Sequence, residues 1–315
     1  MTVTLPARPR LMRDAFLDVL YAAATRNRDI YLISPDFGAE ALDAFRADLP
    51  NQFVHVGICE QNMVDLGAGL ALSGKTVFLY AMAPFLTARC YEQIKCSLTS
   101  MQLPVTMIAV GVGLGYDHAT LTHFTPEDLA AMRALNGIEV VTPADQESAT
   151  VVAEDAIARP ALRYVRLERL VRPHLYQGRF AEVYRRGFAV LAEGRDVWLM
   201  GCGYMTHKAL AAREALKARG IDAGVIDLFR AKPLDAADLA SALGSVRRVV
   251  TIEEQMLDGG FGGLVAEAMM DARCPVEMKR LGLRDGFVVV NGSRDHLHAL
   301  YGVDVPDVVR AVEAW

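Results

Sequence analysis

Residues 56–95 read VGICEQNMVDLGAGLALSGKTVFLYAMAPFLTARCYEQIK. The run Phe53-Val-His-Val-Gly-Ile58 leading into it is a short apolar segment suited to a strand, and Glu60 opens a stretch rich in Gly and Ala that suits a helix. A second apolar run begins at Thr76, so the whole reads as strand, helix, strand, the unit from which parallel sheets covered on both faces are built. That order leaves Glu60 at the carboxyl end of a parallel strand and near a helix N-terminus, where the crevices of α/β sheets bind ligands. From spacing alone, an acid there is either a helix starter favoured by the dipole or a functional group.

The same rhythm extends in both directions. Strands are predicted at 30–34, 53–58, 76–80, 105–110, 139–141 and 162–167, with helices at 11–26, 60–73, 86–100 and 126–135. Thr125-Pro126-Glu127-Asp128 marks the start of the last helix, with Thr as N-cap, Pro at the first position and two acids in the first turn. Residues 172–186 break the alternation with Pro, His, Gly and several charges, and it then begins afresh. Further strands are expected at 197–200, 223–228, 248–253 and 276–280, and helices at 206–219, 236–243, 262–271 and 305–313. The expectation is two three-layer α/β domains with largely parallel sheets, covering residues 1–173 and 186–315.

Composition narrows the function. A chain of 315 residues that is 52% hydrophobic and 23% charged, with net charge −5 and no charge blocks, has no basic face for nucleic acid or membrane. Five cysteines (Cys59, Cys90, Cys96, Cys202 and Cys274) form no CxxC pair and no cluster with His at metal spacing, so neither a zinc site nor a disulfide framework is expected, and a reducing cytoplasm fits. Gly111-Val-Gly-Leu-Gly115 lacks the dinucleotide spacing and opens no obvious helix, which removes a Rossmann cofactor site.

The Gly-Ile-x-Glu-Gln-x-Met core at residues 57–63, the small-residue helix after it and the Phe-x-x-x-Arg stretch at Phe85 resemble the pyrimidine domain of transketolases and 1-deoxyxylulose-5-phosphate synthases. In the second half, Leu228-Phe-Arg-Ala-Lys-Pro-Leu-Asp235, Gly259-Gly-Phe-Gly-Gly263 and Tyr301-Gly302 resemble the transketolase C-terminal domain. The resemblance implies thiamine diphosphate as cofactor. It puts Glu60 against N1′ of the aminopyrimidine, where a carboxyl group in a dry pocket favours the imino tautomer that generates the base. It also puts Phe85 on the pyrimidine face and Asp36, in a Ser34-Pro-Asp turn, near the cofactor. The flanking aromatics usual in such enzymes are Met82 and Ala88 here.

By the same resemblance, His123 in Thr122-His123 contacts sugar hydroxyls near the reacting carbon, a task for a group that donates or accepts near neutral pH. The Asp-Gly pair expected just upstream is replaced by Tyr116-Asp117-His118-Ala119, so Asp117 or His118 would supply polar contacts from a rearranged loop. Arg169 and Arg13 match arginines positioned for a substrate phosphate, within a crowd that includes Arg166 and Arg172.

Transketolases hold the diphosphate through a divalent metal bound at a Gly-Asp-Gly motif, and this sequence contains none. The expectation is a split enzyme. A partner subunit holds the diphosphate and Mg²⁺, this chain supplies Glu60 and Phe85, no metal ligand lies in this chain, and the assembly is α₂β₂. The expected reaction moves a two-carbon ketol unit from a ketose or ketose phosphate to an aldehyde. The alternatives are the beta subunit of a 2-oxo-acid dehydrogenase, a 1-deoxyxylulose-5-phosphate-synthase-like enzyme and a non-catalytic scaffold.

Overall fold

The computed structural model describes residues 10–35 and 39–315. These divide into two compact units. The first comprises the described residues of Met1–Val112 with Ala131–Ala181, and the second Gly113–Ala130 with Glu182–Trp315.

In the first unit, strands Ile30–Ser34 (β1), Phe53–His55 (β2), Thr76–Met82 (β3), Val105–Val110 (β4), Glu139–Val141 (β5) and Arg163–Leu167 (β6) lie in the order β5-β6-β4-β3-β1-β2. Every neighbouring pair among them is parallel. All residues of β4 and β6 are buried, as expected of strands covered on both faces. Burial inside β6 includes two arginines. Arg163 is neutralised by Glu139 at 2.8 Å and Asp155 at 2.7 Å, and Arg166 donates to the Thr142 hydroxyl at 3.2 Å.

The second unit contains Ala189–Ala192 (β7), Val197–Gly201 (β8), Ala223–Asp227 (β9), the short Arg230–Lys232 (β10), Arg248–Met256 (β11) and Glu277–Leu283 (β12). Its five-stranded sheet runs β12-β11-β8-β9-β7, and β10 lies outside it. Only the β7 edge is antiparallel. The core joins Val197, Leu199, Val225, Val250 and Ile252 to the helices Tyr204–Lys217 and Val305–Glu313. The two parallel-sheet α/β domains expected from the sequence are therefore present.

Three local expectations change. The helix foreseen over 86–100 is broken into Ala83–Leu86, Tyr91–Gln93 and a π-helical Ile94–Thr99. The hydroxyls of Thr87 and Thr99 back-bond to the carbonyls of Ala83 and Lys95 at 2.7 and 2.8 Å, and such bonds bend helices. The helix foreseen from Pro126 begins at Asp128. Thr125 stands two residues before the cap position of a helix that begins at Asp128, and its backbone N–H donates to the Gly113 carbonyl at 2.9 Å in an isolated antiparallel bridge. A helix at Gln146–Ala158 was not foreseen, although Asp145 and Ser148 form a capping box at its start.

Candidate active site

Glu60 is the first residue of the helix Glu60–Leu72, reached from β2 through a turn in which Gly57 takes φ +72°, a conformation L side chains rarely adopt. Only 3% of Glu60 is exposed. Its Oε2 accepts a hydrogen bond from Nη1 of Arg89 at 2.6 Å. The same guanidinium lies 4.3 Å from the centroid of the half-buried Phe85 ring. One cation thus bridges the two residues singled out from the sequence for the cofactor's pyrimidine. Arg89 stands four residues after Phe85, in the turn that follows the helix Ala83–Leu86. The Phe-x-x-x-Arg spacing carried that signal, but no role was drawn from it.

The neighbouring Cys90 thiol is buried and donates to the Phe85 carbonyl at 3.2 Å. Burial first, then the charge of Glu60, pushes its pKa up to about 12, so it stays a neutral thiol.

The remaining candidates fall into two groups. Arg169 follows β6, as Glu60 follows β2 and Phe85 follows β3, so all three lie beyond the carboxyl ends of parallel strands in one sheet. Arg169 is exposed, whereas Arg166 is a buried structural residue. Arg13 is half-buried at the start of the helix Met12–Ala24 and donates through Nε to Asp14 at 2.8 Å. Asp36 lies outside the described residues.

Asp117, His118 and His123 sit on the Gly113–Ala130 segment of the second unit. His123 is half-buried, with Nδ1 2.8 Å from the Thr122 hydroxyl and its ring centroid 5.5 Å from that of Tyr116. Asp117 accepts from the His118 backbone N–H at 3.0 Å and from that of Arg294 at 3.3 Å, and the His118 side chain is 74% exposed. Beside this segment is a cleft lined by Leu121, Phe124, Pro126, Met256, Phe287 and Val288, with Glu127 and Asp285 also in its lining.

Sequence reading also passed over a buried ionic group in the second unit. Glu254 on β11 receives Nε of Arg294 at 2.6 Å and is bonded to Nε2 of His298. Burial pushes the Glu254 carboxyl up, but Arg294 and His298 outweigh it and hold the group well below the usual carboxylate range. Among the described residues no cluster of His, Cys, Asp and Glu could hold a metal, and no helix is long and apolar enough to cross a membrane.

Comparison with known proteins also divides the chain in two. The family model described as the transketolase pyrimidine binding domain matches residues 9–172, and that of the transketolase C-terminal domain matches 187–308. The chain is 33% identical over 293 residues to one of the subunits of the apulose-4-phosphate transketolase of Phocaeicola vulgatus, covering 93% of each. It is 31% identical over 302 residues to a 6-deoxy-6-sulfo-D-fructose transketolase subunit of a Clostridium species, covering 95% of this chain and 92% of that one. A split-gene transketolase solved as an inactive β4 tetramer superposes with a TM-score of 0.85 at 31% identity, covering 97% of this chain and 98% of that one.

Proposed function

The chain belongs to the transketolase family, and from that premise we propose that it is the pyrimidine-binding subunit of a two-component transketolase that moves a two-carbon ketol unit from a ketose to an aldehyde. Thiamine diphosphate supplies the carbon that carries this unit between sugars. Glu60 shares a proton with N1′ of its pyrimidine, and Phe85 stacks on the ring. What carries this reading is the arrangement of a nearly buried carboxyl and a half-buried aromatic ring in reach of one guanidinium, beyond the ends of parallel strands. That arrangement fits a flat aromatic heterocycle with a protonatable nitrogen at its edge. Asp36 is proposed to line the same cofactor.

The diphosphate and its Mg²⁺ are assigned to a partner subunit. In support, the chain has no Gly-Asp-Gly motif and is similar over nearly its full length to relatives named as transketolase subunits. Exposed apolar side chains at Ile58, Leu66 and Leu72, beside and along the Glu60 helix, supply a surface for such a partner in an α₂β₂ assembly. The chain is expected to fold in its absence, since the related split-gene structure is a tetramer of beta chains alone.

His123 is proposed to meet the sugar near the reacting carbon, with Asp117 and His118 contributing further polar contacts. Arg169 and Arg13 are proposed to bind an anionic group at the far end of the sugar. The sugars named for the two relatives carry a phosphate or a sulfonate, which favours an anionic ketose here. The 2-oxo-acid dehydrogenase and scaffold readings are weaker, because both matched family models and both subunit relatives are transketolases.

The test is reconstitution with a Gly-Asp-Gly partner. Glu60→Gln should lower kcat by about 10²- to 10⁴-fold with the melting temperature unchanged. Activity of Glu60→Gln near wild type, or efficient turnover by this chain alone, would overturn the reading.

A further inference from the structure

The segment Gly113–Ala130 falls within the stretch matched by the pyrimidine-domain model, yet it is built into the second unit. Leu114 and Phe124 are buried in a cluster with Leu283, Val288 and Leu297. The Pro126 carbonyl accepts the Met256 N–H at 3.0 Å, and the Thr125–Gly113 bond closes the segment into a loop.

Beneath that loop lies the buried group formed by Glu254, Arg294 and His298. Glu254 is 2% exposed, Arg294 3% and His298 0%. The group reaches the loop at three points. Glu254 Oε2 is 3.4 Å from the Leu114 backbone nitrogen, and the backbone N–H of Arg294, the residue that carries the fork, donates to Asp117 Oδ2 at 3.3 Å. Gly113 has φ +60°, and a Cβ placed there would come within 2.4 Å of Glu254 Oε2, so backbone and carboxylate are in close approach.

A buried ion pair is a weak source of net stability, since apolar residues of similar volume often do as well. Its strength lies in direction: the planar fork of Arg294 and the carboxylate plane of Glu254 hold each other in one orientation. We propose that Glu254, Arg294 and His298 are positioning residues that seat the loop carrying Asp117, His118 and His123, so that the second domain tunes sugar recognition from below. This rests on the reading that His123 meets the sugar, and gives that domain a part in substrate selection.

The experiment uses the reconstituted holoenzyme and whichever of apulose 4-phosphate, 6-deoxy-6-sulfofructose and fructose 6-phosphate it turns over fastest. Arg294→Lys keeps the charge but loses the fork. It should raise the ketose KM about tenfold, change kcat about threefold at most, and leave the thiamine diphosphate Kd unchanged. Hydrogen exchange should quicken in residues 113–125 and not in residues 53–63. Arg294→Met should show a larger KM effect; if it does not fold, Glu254→Gln, which keeps an acceptor oxygen but loses the ion pair, tests the same group. Val250→Ala, a core change in the same domain, should lower the melting temperature and leave KM alone.

An unchanged KM in Arg294→Lys and Glu254→Gln, or a KM rise matched by an equal rise in cofactor Kd, overturns the proposal. His123→Ala separates the two levels. If it leaves turnover and KM intact, or if none of the three sugars is turned over, the sugar-site reading itself fails. If it is impaired while Arg294→Lys behaves as wild type, only the positioning role fails.

Discussion

A carboxyl group removed from water needs a partner, and at Glu60 that partner is Arg89. Arg89 also covers Phe85, so carboxylate and ring are held in relation to each other by a cation that is itself 41% exposed. The bridging cation thus keeps contact with solvent while it holds both partners. Phe85 supplies stacking and no proton chemistry. Phe85→Ala should raise the thiamine diphosphate Kd roughly five- to tenfold, for a stacking contribution of about 1 kcal/mol, with a much smaller change in kcat. Calorimetric titration of the mixed subunits checks this, and an unaltered Kd would remove Phe85 from the cofactor site.

At the scale of elements, the helix Gln146–Ala158 shows how one terminal residue can organise a connection. Asp145 is fully buried; its Oδ1 accepts the Ser148 N–H at 2.8 Å and its Oδ2 the Leu175 N–H at 2.7 Å. Glu147 accepts the N–H groups of Gly178 and Phe180, both at 2.7 Å. The chain from 174 to 181 is thus tied to this helix start by carboxylates that answer its backbone donors. Asp145→Ala removes a cap and leaves a buried N–H without its acceptor, which should cost about 2–4 kcal/mol in denaturant unfolding. Asp145→Asn, which keeps one acceptor oxygen, should cost less. Legibility at this scale was uneven. The helix at Glu60 was visible because small apolar residues follow a strand and a turn, and the Asp-x-x-Ser box at 145–148 was equally present but went unread. The break at Thr87 was not legible, because it depends on which way a hydroxyl turns.

For the molecule as a whole, acid stability is expected to pass through Glu254. Its carboxyl is held low in the folded state, so its contribution is fully present above the unfolded-state value and is lost as pH falls toward the folded one. Below about pH 4.3 the wild type should lose about 1.4 kcal/mol of stability per pH unit from this group, and Glu254→Gln should show a shallower acid limb in melts from pH 6 to pH 3. Equal slopes would mean that the charge of Glu254 does not report on folding. The sequence by itself determined the two parallel-sheet domains, the placing of Glu60 where a strand hands over to a helix, and membership of the family, because periodicity and short motifs act between residues close in the chain. Tertiary structure alone decided that Arg89 joins Glu60 to Phe85, that Arg166 is an internal strut while Arg169 stays exposed, and that the loop bearing His123 is seated on Glu254 and Arg294. Those pairings join residues as much as 177 positions apart, as Asp117 and Arg294 are. No local pattern encodes which distant charge a buried group will find, since that follows from the burial of both in the same fold.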